Sequence, residues 1–552
     1  MTSEATSFPE RFTRIDDLTR GDHHYLNADD VCLFLGEYTA RRGFAHSTTN
    51  NLIINFKKPM DRRDRPEWPH KARNIRIVPN SCNRAQTKGP PMETATGIPS
   101  HGFLIAFFVA LSLSWSDAPN AQEAAPLPEY VVDAFGAPPA IPAGPLPDGL
   151  RSAVQVAFVD SIAQQVWGPD QTSALEEISA SRDPRLVWVI SDLLRFISDR
   201  RISASLTDAA SSLLEKRFPG PNSWGAITDH LIAWDIPSPP GYLPVKRAIF
   251  TGVIPGWDKI FVEGDIDWRH VSWGGVLIDD RAYDRTDSTC NCIPAADNPE
   301  VSSAEEAAWL KDSDIVFGIE VNDEFRAYPR RIMEVREMVN DTLGGRDLGI
   351  PYCTLCGSAQ AYFTDQLPKG IERPVLRTSG LLIRSNKVMY DINTHSVFDT
   401  FLGKAVTGPL AKRNLQLKQA SIVTTDWGTW KREHPETTVL VEALALGRDF
   451  DFRNGRDANG PIFPVGDVDP RLPVHEDIIG VVTATGRPIA FQRSKAIAAL
   501  KRGNRISYEN VHLQLDAGGV KAVGADGSDL GSHQAFWFAW SQFHPQTALW
   551  PN

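Results

Sequence analysis

The sequence predicts an α+β fold in which mostly antiparallel β units are duplicated, each with a Trp-bearing helix, behind a small HEAT-like helical segment. Three observations lead to this class. Helical periodicity runs through residues 151–220, short alternating strand and turn patterns follow from residue 314, and one tryptophan motif occurs twice. A chain of 552 residues with 42% apolar and 23% charged residues has an ordinary globular balance and is long enough for two or three domains.

The N-terminal part of the chain predicts export. The apolar run from Phe103 to Trp115 has the length of a signal-peptide core, Met92 precedes it, and small residues follow it. We therefore expect residues 1–91 to be a leader of doubtful relevance, residues 92–121 to be a signal peptide, and the mature protein to be periplasmic or extracellular. The alternative is a membrane anchor, if the run is retained.

The next segments change character in turn. Residues 122–150 are rich in Ala and Pro, which predicts a linker. Residues 151–220 have helical periodicity, and the stretch from Ala174 to Ile197 reads as one HEAT-type helix pair that is a candidate surface for a protein partner. Residues 221–313 are expected to be a loop-rich, Trp-rich connection. The formal net charge of −11 argues against nucleic acid as a partner.

The internal repeat divides the rest of the chain into two units. The pattern W-x-x-W-x-x-x-H-P-x-T begins at Trp427 and again at Trp537. This spacing puts both tryptophans and the histidine on one helical face, where His-Pro ends the helix. We expect a first unit at 314–440 and a second, cysteine-free unit at 441–552. We interpret His434 and His544 as packed residues whose ring nitrogens satisfy buried groups.

The cysteines carry the candidate chemistry. Cys353 and Cys356 form a C-x-x-C pair, and Gly357 follows them, where a glycine takes positive φ cheaply and lets backbone N–H groups point at thiolate sulfur. The residues after Cys356 alternate like a strand, so the helix that lowers a thiol pKa in thioredoxin-type motifs is not evident. We expect Cys353 and Cys356, completed by Cys290 and Cys292, to bind zinc, copper or iron through thiolates.

A short polar segment after Ser379 is a candidate pocket wall near the cysteines. Its residues are Arg384, Asn386, Tyr390 and Asp391. An exposed hairpin with a solvated charge explains the same pattern equally well.

Six motifs occur in the second half of the chain: Arg326-Ala-Tyr-Pro329, Val339-Asn-Asp-Thr-Leu-Gly-Gly345, Tyr352-Cys-x-x-Cys-Gly-Ser358, Ser379-Gly-Leu-Leu382, Val388-Met-Tyr-Asp391 and the closing Trp/His-Pro element. Together they resemble the uncharacterised bacterial and archaeal family known as domain of unknown function (DUF) 3179, over about residues 294–552. The resemblance implies an extracytoplasmic protein and supplies no activity. Where the family usually has His-Glu this chain has Arg336-Glu337, and Thr354 replaces the proline usual inside the cysteine pair.

Three classes of function therefore stay open from the sequence. The first is a metal site at the cysteines, the second is thiol and disulfide redox chemistry at Cys353 and Cys356, and the third is a partner-binding module whose cysteines form structural disulfides. The motifs do not decide whether the protein is an enzyme.

Overall fold

The computed structural model describes residues 126–551, except 221, 286–291, 443–452 and 454, together with three short strands nearer the N-terminus. The expected signal peptide at 92–121 lies outside the described residues, as does all of the expected leader apart from those strands. Within the described part, no helix is both long enough and apolar enough to cross a membrane.

Helices dominate the first part of the described chain, and short helices recur between the later strands. A π-helical segment, Gln155–Asp160, continues the second helix, and 3-10 turns occur at Pro184–Leu186, Pro255–Trp257 and Trp268–His270. The α-helices are α1 Glu129–Phe135, α2 Asp148–Val154, α3 Ser161–Gln164, α4 Pro169–Ala180, α5 Val187–Leu194, α6 Arg200–Leu213, α7 Trp224–Ala233, α8 Tyr242–Val253, α9 Arg330–Arg336, α10 Gly408–Ala411, α11 Trp427–Glu433, α12 Arg493–Lys501 and α13 Trp537–Phe543.

The strands are mostly short. In chain order they are β1 Thr6–Ser7, β2 Thr13–Arg14, β3 Leu33–Phe34, β4 Val166–Trp167, β5 Val271–Trp273, β6 Ala296–Asp297, β7 Glu300–Ser303, β8 Ile315–Val321, β9 Glu324–Pro329, β10 Met338–Leu343, β11 Arg346–Cys353, β12 Ser358–Ala359, β13 Ala361–Phe363, β14 Leu376–Ile383, β15 Asn386–Asp391, β16 Val397–Asp399, β17 Lys404–Ala405, β18 Lys418–Ala420, β19 Val423–Asp426, β20 Thr438–Val441, β21 Asp477–Val482, β22 Pro488–Gln492, β23 Ile506–Tyr508, β24 Val511–Asp516, β25 Gly519–Val523, β26 His533–Phe536 and β27 Ala548–Trp550.

From β5 onward the described strands form five small, largely antiparallel sheets arranged as a five-bladed ring. The mixed α and β class that the sequence predicts is therefore correct. The sheet orders are β18-β13-β11-β10-β6 with β12 beside β11, β17-β16-β15-β14-β5, β19-β8-β9-β20-β7, β26-β21-β22-β27 and β23-β24-β25.

Two of these sheets share one four-strand arrangement, to which β7 adds a fifth strand in the first, and this is consistent with the predicted duplication. In the first unit, β8 pairs antiparallel with β9 and with β19, and β20 lies parallel to β9. In the second unit, β21 pairs antiparallel with β22 and with β26, and β27 lies parallel to β22. Helices α11 and α13 occupy equivalent places between the last two strands of each set.

The tryptophan elements of the two units make matching contacts. The Trp430 indole N–H donates to the hydroxyl of Thr437 at 2.9 Å, and Trp540 donates to Thr547 at 2.8 Å. Each indole lies directly on a glycine of a neighbouring strand. A Cβ placed on Gly318 would lie 2.2 Å from the Trp430 ring, and one on Gly480 would lie 2.1 Å from the Trp540 ring. These local spacings explain why one motif builds the same element twice.

The segment predicted to be a linker is partly helical and packed. Helix α1 buries Val131, and the carbonyl of Gly136 after it accepts a hydrogen bond from the Trp234 indole at 2.9 Å. Further on, the carbonyl of Gly144 accepts from Arg185 at 2.9 Å. Carbonyls of this proline-rich stretch are thus satisfied by side chains of the helical segment, which fixes its path.

The expected loop-rich connection contains two helices, α7 and α8. Their buried residues include Ile227 and Leu231 in α7 and Val245 and Ile249 in α8, which are spaced by four as on one helical face. Proline and glycine punctuation hid this periodicity in the sequence. The description of Ala174 to Ile197 as a HEAT-type pair stays a prediction, although α4 and α5 fall within or near it.

Candidate thiol site

The C-x-x-C sequence forms the turn of a tight hairpin. Strand β11 ends at Cys353, which pairs with Ser358 of β12, and the Cys356 N–H donates to the Cys353 carbonyl at 3.2 Å. Gly357 has φ +58°, and a Cβ there would stand 2.9 Å from the ring of Phe536. The Phe536 N–H also donates to the Cys356 carbonyl at 2.9 Å. Glycine is therefore required both for the turn and for the contact with β26.

Both thiols are unbridged, buried and directed at one carbonyl oxygen. Cys353 is 2% exposed and Cys356 is fully buried. Their sulfurs lie 3.7 and 3.6 Å from the carbonyl oxygen of Ser385. Ser385 and Arg384 form the two-residue tip of the β14–β15 hairpin, with φ of +70° and +44°. Such tips favour Asn and Gly, so two other residues in this conformation represent backbone strain beside the thiols.

A buried lysine and a largely buried glutamate lie next to the cysteine pair. Lys387 Nζ lies 3.7 Å from Glu337 Oε2 and also donates to the backbone carbonyl of Glu337. The Thr354 hydroxyl, inside the C-x-x-C turn, donates to Glu337 Oε1 at 3.0 Å. Glu337 itself is left-handed, with φ +50°, which ends α9 and turns its side chain toward the hairpin.

The two thiols differ in acidity. Burial opposes ionisation of Cys353, but the Cys356 thiol and the backbone N–H groups of Lys387 and Cys356 outweigh it and lower the Cys353 pKa. Burial, followed by the interaction with Cys353, raises the pKa of Cys356 well above its usual value. Burial also lowers the pKa of Lys387 to about 8 and raises that of Glu337. The arrangement gives one thiol that ionises readily and one that keeps its proton.

A largely apolar cavity of about 270 Å³ borders this group. Glu337, Lys387 and Leu355 form the part of its wall nearest the thiols. The rest of the wall comes mainly from apolar residues, including Val276, Ile293, Val335, Leu381, Leu382, Val388 and Phe463.

The predicted four-thiolate site is only partly described. Cys290 lies outside the described residues, and Cys292 is held in a disulfide, so its sulfur is not a thiol. Cys292 nevertheless lines the 270 Å³ cavity. Within the described residues, no group of three His, Cys, Asp or Glu side chains is placed to hold a metal ion. The metal identity stays a prediction.

The four candidate pocket residues have separate roles. Asn386 is 1% exposed, lies between Ser385 and Lys387, and has a side-chain oxygen without a partner. Arg384 contacts His270, with 3.3 Å between Nη2 and Nε2. At the other end of β15, Tyr390 donates to the Asp279 carbonyl and Asp391 accepts from the N–H groups of Val375 and Thr394. The structure thus brings Asn386 beside the thiol site and uses Tyr390 and Asp391 to hold the strands.

Polar residues of the motifs that resemble the family are built into a buried network. Asp341 accepts from Arg326 and from the Tyr328 hydroxyl, both at 2.7 Å. Arg336, at the position where the family usually has His, pairs with Glu442 at 2.5 Å. These contacts give the motif residues a structural role. The Arg336 side chain binds Glu442 and not the cysteine sulfurs.

Sequence analysis missed Ser385 and Lys387, whose backbone carbonyl and backbone N–H respectively face Cys353 from more than thirty positions away. One signal for Lys387 was present, because a lysine stands among the apolar residues of a strand that is buried throughout. Its partner could not be found without the sheet arrangement.

Comparison with known proteins agrees with the resemblance seen in the sequence. Residues 290–526 match the model of a family described as protein of unknown function (DUF3179). This stretch includes the C-x-x-C turn, the Lys387 hairpin and the first tryptophan element. No curated protein and no solved structure matches the chain.

Proposed function

We propose that Cys353 and Cys356 are a thiol–disulfide redox pair in an exported protein. The observation that carries the proposal is the convergence of two unbridged thiols on the Ser385 carbonyl, where the Lys387 amine interacts electrostatically with Cys353. A C-x-x-C pair on one tight turn can close an intramolecular disulfide with little rearrangement of the chain.

The chemistry follows from the unequal thiols. The Cys353 thiolate attacks one sulfur of a substrate disulfide, a mixed disulfide forms, and the other substrate sulfur leaves as a thiolate that takes a proton. The Cys356 thiol then gives up its proton and attacks the Cys353 sulfur, and the second substrate sulfur leaves and takes up that proton. Counted from the dithiol, with the proton that Cys353 released when it ionised, the protein has lost two electrons and two protons, and the substrate disulfide has become two thiols.

The unequal pKa values suit a redox pair, because the reaction uses one thiol that ionises readily as the nucleophile and a second thiol as the resolving group.

The test is the equilibrium of the full-length protein with reduced and oxidised dithiothreitol. Differential alkylation and mass spectrometry should show a reversible two-electron conversion between two thiols and a Cys353–Cys356 disulfide. With glutathione disulfide as the oxidant, Cys356→Ser should accumulate a mixed disulfide at Cys353, and Cys353→Ser should not accumulate one at Cys356. If both thiols stay reduced in the folded protein at every potential, yet react after unfolding, the proposal is wrong.

A soft metal ion such as Cu(I) is the second candidate, because both sulfurs approach one point and Gly357 has the positive φ of a metal knuckle. Elemental analysis of protein purified without chelator tests it. Bound metal that disappears in the double variant Cys353→Ser, Cys356→Ser, together with no reversible disulfide, would select this function.

A further inference from the structure

The duplicated units differ at their histidines. In the first unit, His434 Nε2 lies 3.1 Å from Asp516 Oδ1, and its ring stacks on Phe325 with 4.1 Å between centroids. In the second unit, His544 lies against Trp540 at 4.2 Å, much as His434 lies against Trp430 at 4.4 Å. Within the described residues, however, the His544 ring makes no hydrogen bond. The histidine ring of the first motif therefore has a hydrogen-bond partner, whereas the histidine ring of the second is left for a ligand.

A second difference lies four residues before each tryptophan element. Val423 pairs with Gly318 in the first unit, and His533 takes the equivalent place opposite Gly480 in the second. His533 is 3% exposed, and its two ring nitrogens face the amides of Gln360 and Gln419 at 3.4 and 2.9 Å. Those amides fix the orientation of the ring.

These two changes occur at a cleft of about 700 Å³ beside Trp540. The volume is in the range of sites for small organic ligands. Its wall includes the aromatic residues Phe401 and Trp540, the two histidines, and the hydrogen-bonding residues Gln416, Gln419 and Thr483. The charged side chains on the wall, Lys418 and Asp529, have opposite signs.

We propose that this cleft binds an uncharged, polyhydroxylic ligand of about mono- to disaccharide size, with His544 as a direct hydrogen-bonding residue. Hydroxyl groups both donate and accept, which suits a wall of amides, imidazole and hydroxyl. The apolar face of a sugar ring suits the exposed side chain of Val482 on the wall, since Phe401 and Trp540 lie beneath it and are 2% and 1% exposed. Because burial lowers the pKa of His544 to about 4, the ring is neutral at pH 7 and adds no charge that would select an anion.

The geometry speaks against a metal ion at the same histidines. Both His533 nitrogens already face amide groups, so His544 is the imidazole left for a ligand. A metal site needs several protein ligands at once, whereas a ligand hydroxyl can be bound by a single side chain that donates or accepts one hydrogen bond.

The experiment is calorimetric titration of the full-length protein with maltose and, separately, with glucuronate and glucosamine. We expect maltose to bind, and His544→Ala to weaken its affinity at least fivefold. The matched control is His434→Ala, the same change in the first unit, which should leave maltose affinity unchanged. Ala484→Trp, on an exposed turn of the cleft wall, should block binding with an unchanged unfolding midpoint.

Three results would overturn the proposal. They are no heat of binding with maltose in the wild-type protein, equal affinity in His544→Ala, or tighter binding of either charged sugar than of maltose. Loss of binding in both His544→Ala and Ala484→Trp, with His434→Ala unchanged, would support it.

Discussion

Lys387 determines much of the electrostatics around the cysteines. It is the buried cation beside Cys353, and its own pKa falls to about 8 because burial disfavours its charge. The carboxylate of Glu337 and the Cys353 thiolate partly restore that charge. A thiolate, an amine and a carboxyl group therefore share one buried place, and a change at any of them alters the other two.

The first prediction concerns Lys387→Met, which keeps the backbone N–H that faces Cys353 and removes the cation. The Cys353 thiolate then loses a favourable charge, so its pKa should rise. The pH midpoint for reaction with methyl methanethiosulfonate should move upward, and reaction at pH 7 should slow as the thiolate fraction falls, by up to about tenfold per unit of that shift. Lys495→Met, on an exposed part of α12, is the control and should react as wild type. An unchanged midpoint in Lys387→Met would contradict this account.

The second prediction separates two roles of Gly357. Gly357→Ala should lower the free energy of unfolding by about 2–4 kcal/mol, from positive φ and from the clash with Phe536. Gly486→Ala is matched, because Gly486 has φ +79° with open space around it, and should cost about 1–2 kcal/mol. Urea unfolding measures both. Equal losses would mean that the Phe536 contact contributes nothing.

At the scale of elements, the repeated unit is a four-stranded sheet with a short helix whose tryptophans are fully buried. The helix is brief, seven residues in each copy, so propensity alone does not stabilise it. Its stability comes from indoles that lie on a strand glycine and donate to a threonine beyond the His-Pro pair. The same packing contacts therefore explain why the motif occurs in both units of this chain.

The third prediction uses that equivalence. Thr437→Val and Thr547→Val keep nearly the same volume and leave the buried Trp430 and Trp540 N–H groups without an acceptor. Each should lower the free energy of unfolding by about 1–3 kcal/mol, and the two losses should agree closely. Thr485→Val, at an exposed turn, should change it little. A large loss in one unit and none in the other would show that the copies are not energetically equivalent.

For the whole molecule, buried histidines couple stability to pH. Burial lowers the pKa of His533 to about 3, below its usual 6.5. Between these values the unfolded chain binds more protons than the folded one, so stability falls as the pH falls from 6.5 toward 3. Asp399 acts in the opposite direction, because burial raises its pKa from 3.8 to about 6. Between these values the folded chain binds more protons than the unfolded one, so the contribution of Asp399 to stability falls as the pH rises from 3.8 to about 6.

The fourth prediction isolates His533. His533→Gln retains a hydrogen-bonding side chain and removes the titration. Between pH 7 and pH 5, wild type should lose about 2 kcal/mol more unfolding free energy than the variant. Guanidinium unfolding at the two pH values measures the difference. Parallel losses in wild type and variant would show that His533 stays neutral in the unfolded chain as well, or is accessible in the folded one.

The sequence by itself determined the features that depend on near neighbours. The W-x-x-W-x-x-x-H-P-x-T spacing places groups one turn apart, and so predicted two related units. The glycine after Cys356 predicted a left-handed turn residue, and Gly357 has φ +58°. The motifs around the cysteines also sufficed to indicate the family that residues 290–526 match. Each of these is a short-range pattern, readable because backbone geometry fixes what lies three or four residues away.

The tertiary structure alone decided what surrounds the thiols. Ser385 and Lys387 lie at the start of β15, and Glu337 directly follows α9. They surround the cysteine turn because these two elements and the β11–β12 turn pack together. The tertiary structure likewise gave the His434 ring a hydrogen-bond partner and left the His544 ring without one among the described residues, since Asp516 approaches only His434. Which strands pair depends on how apolar surface is buried across the whole chain. A local residue spacing does not contain that long-range information.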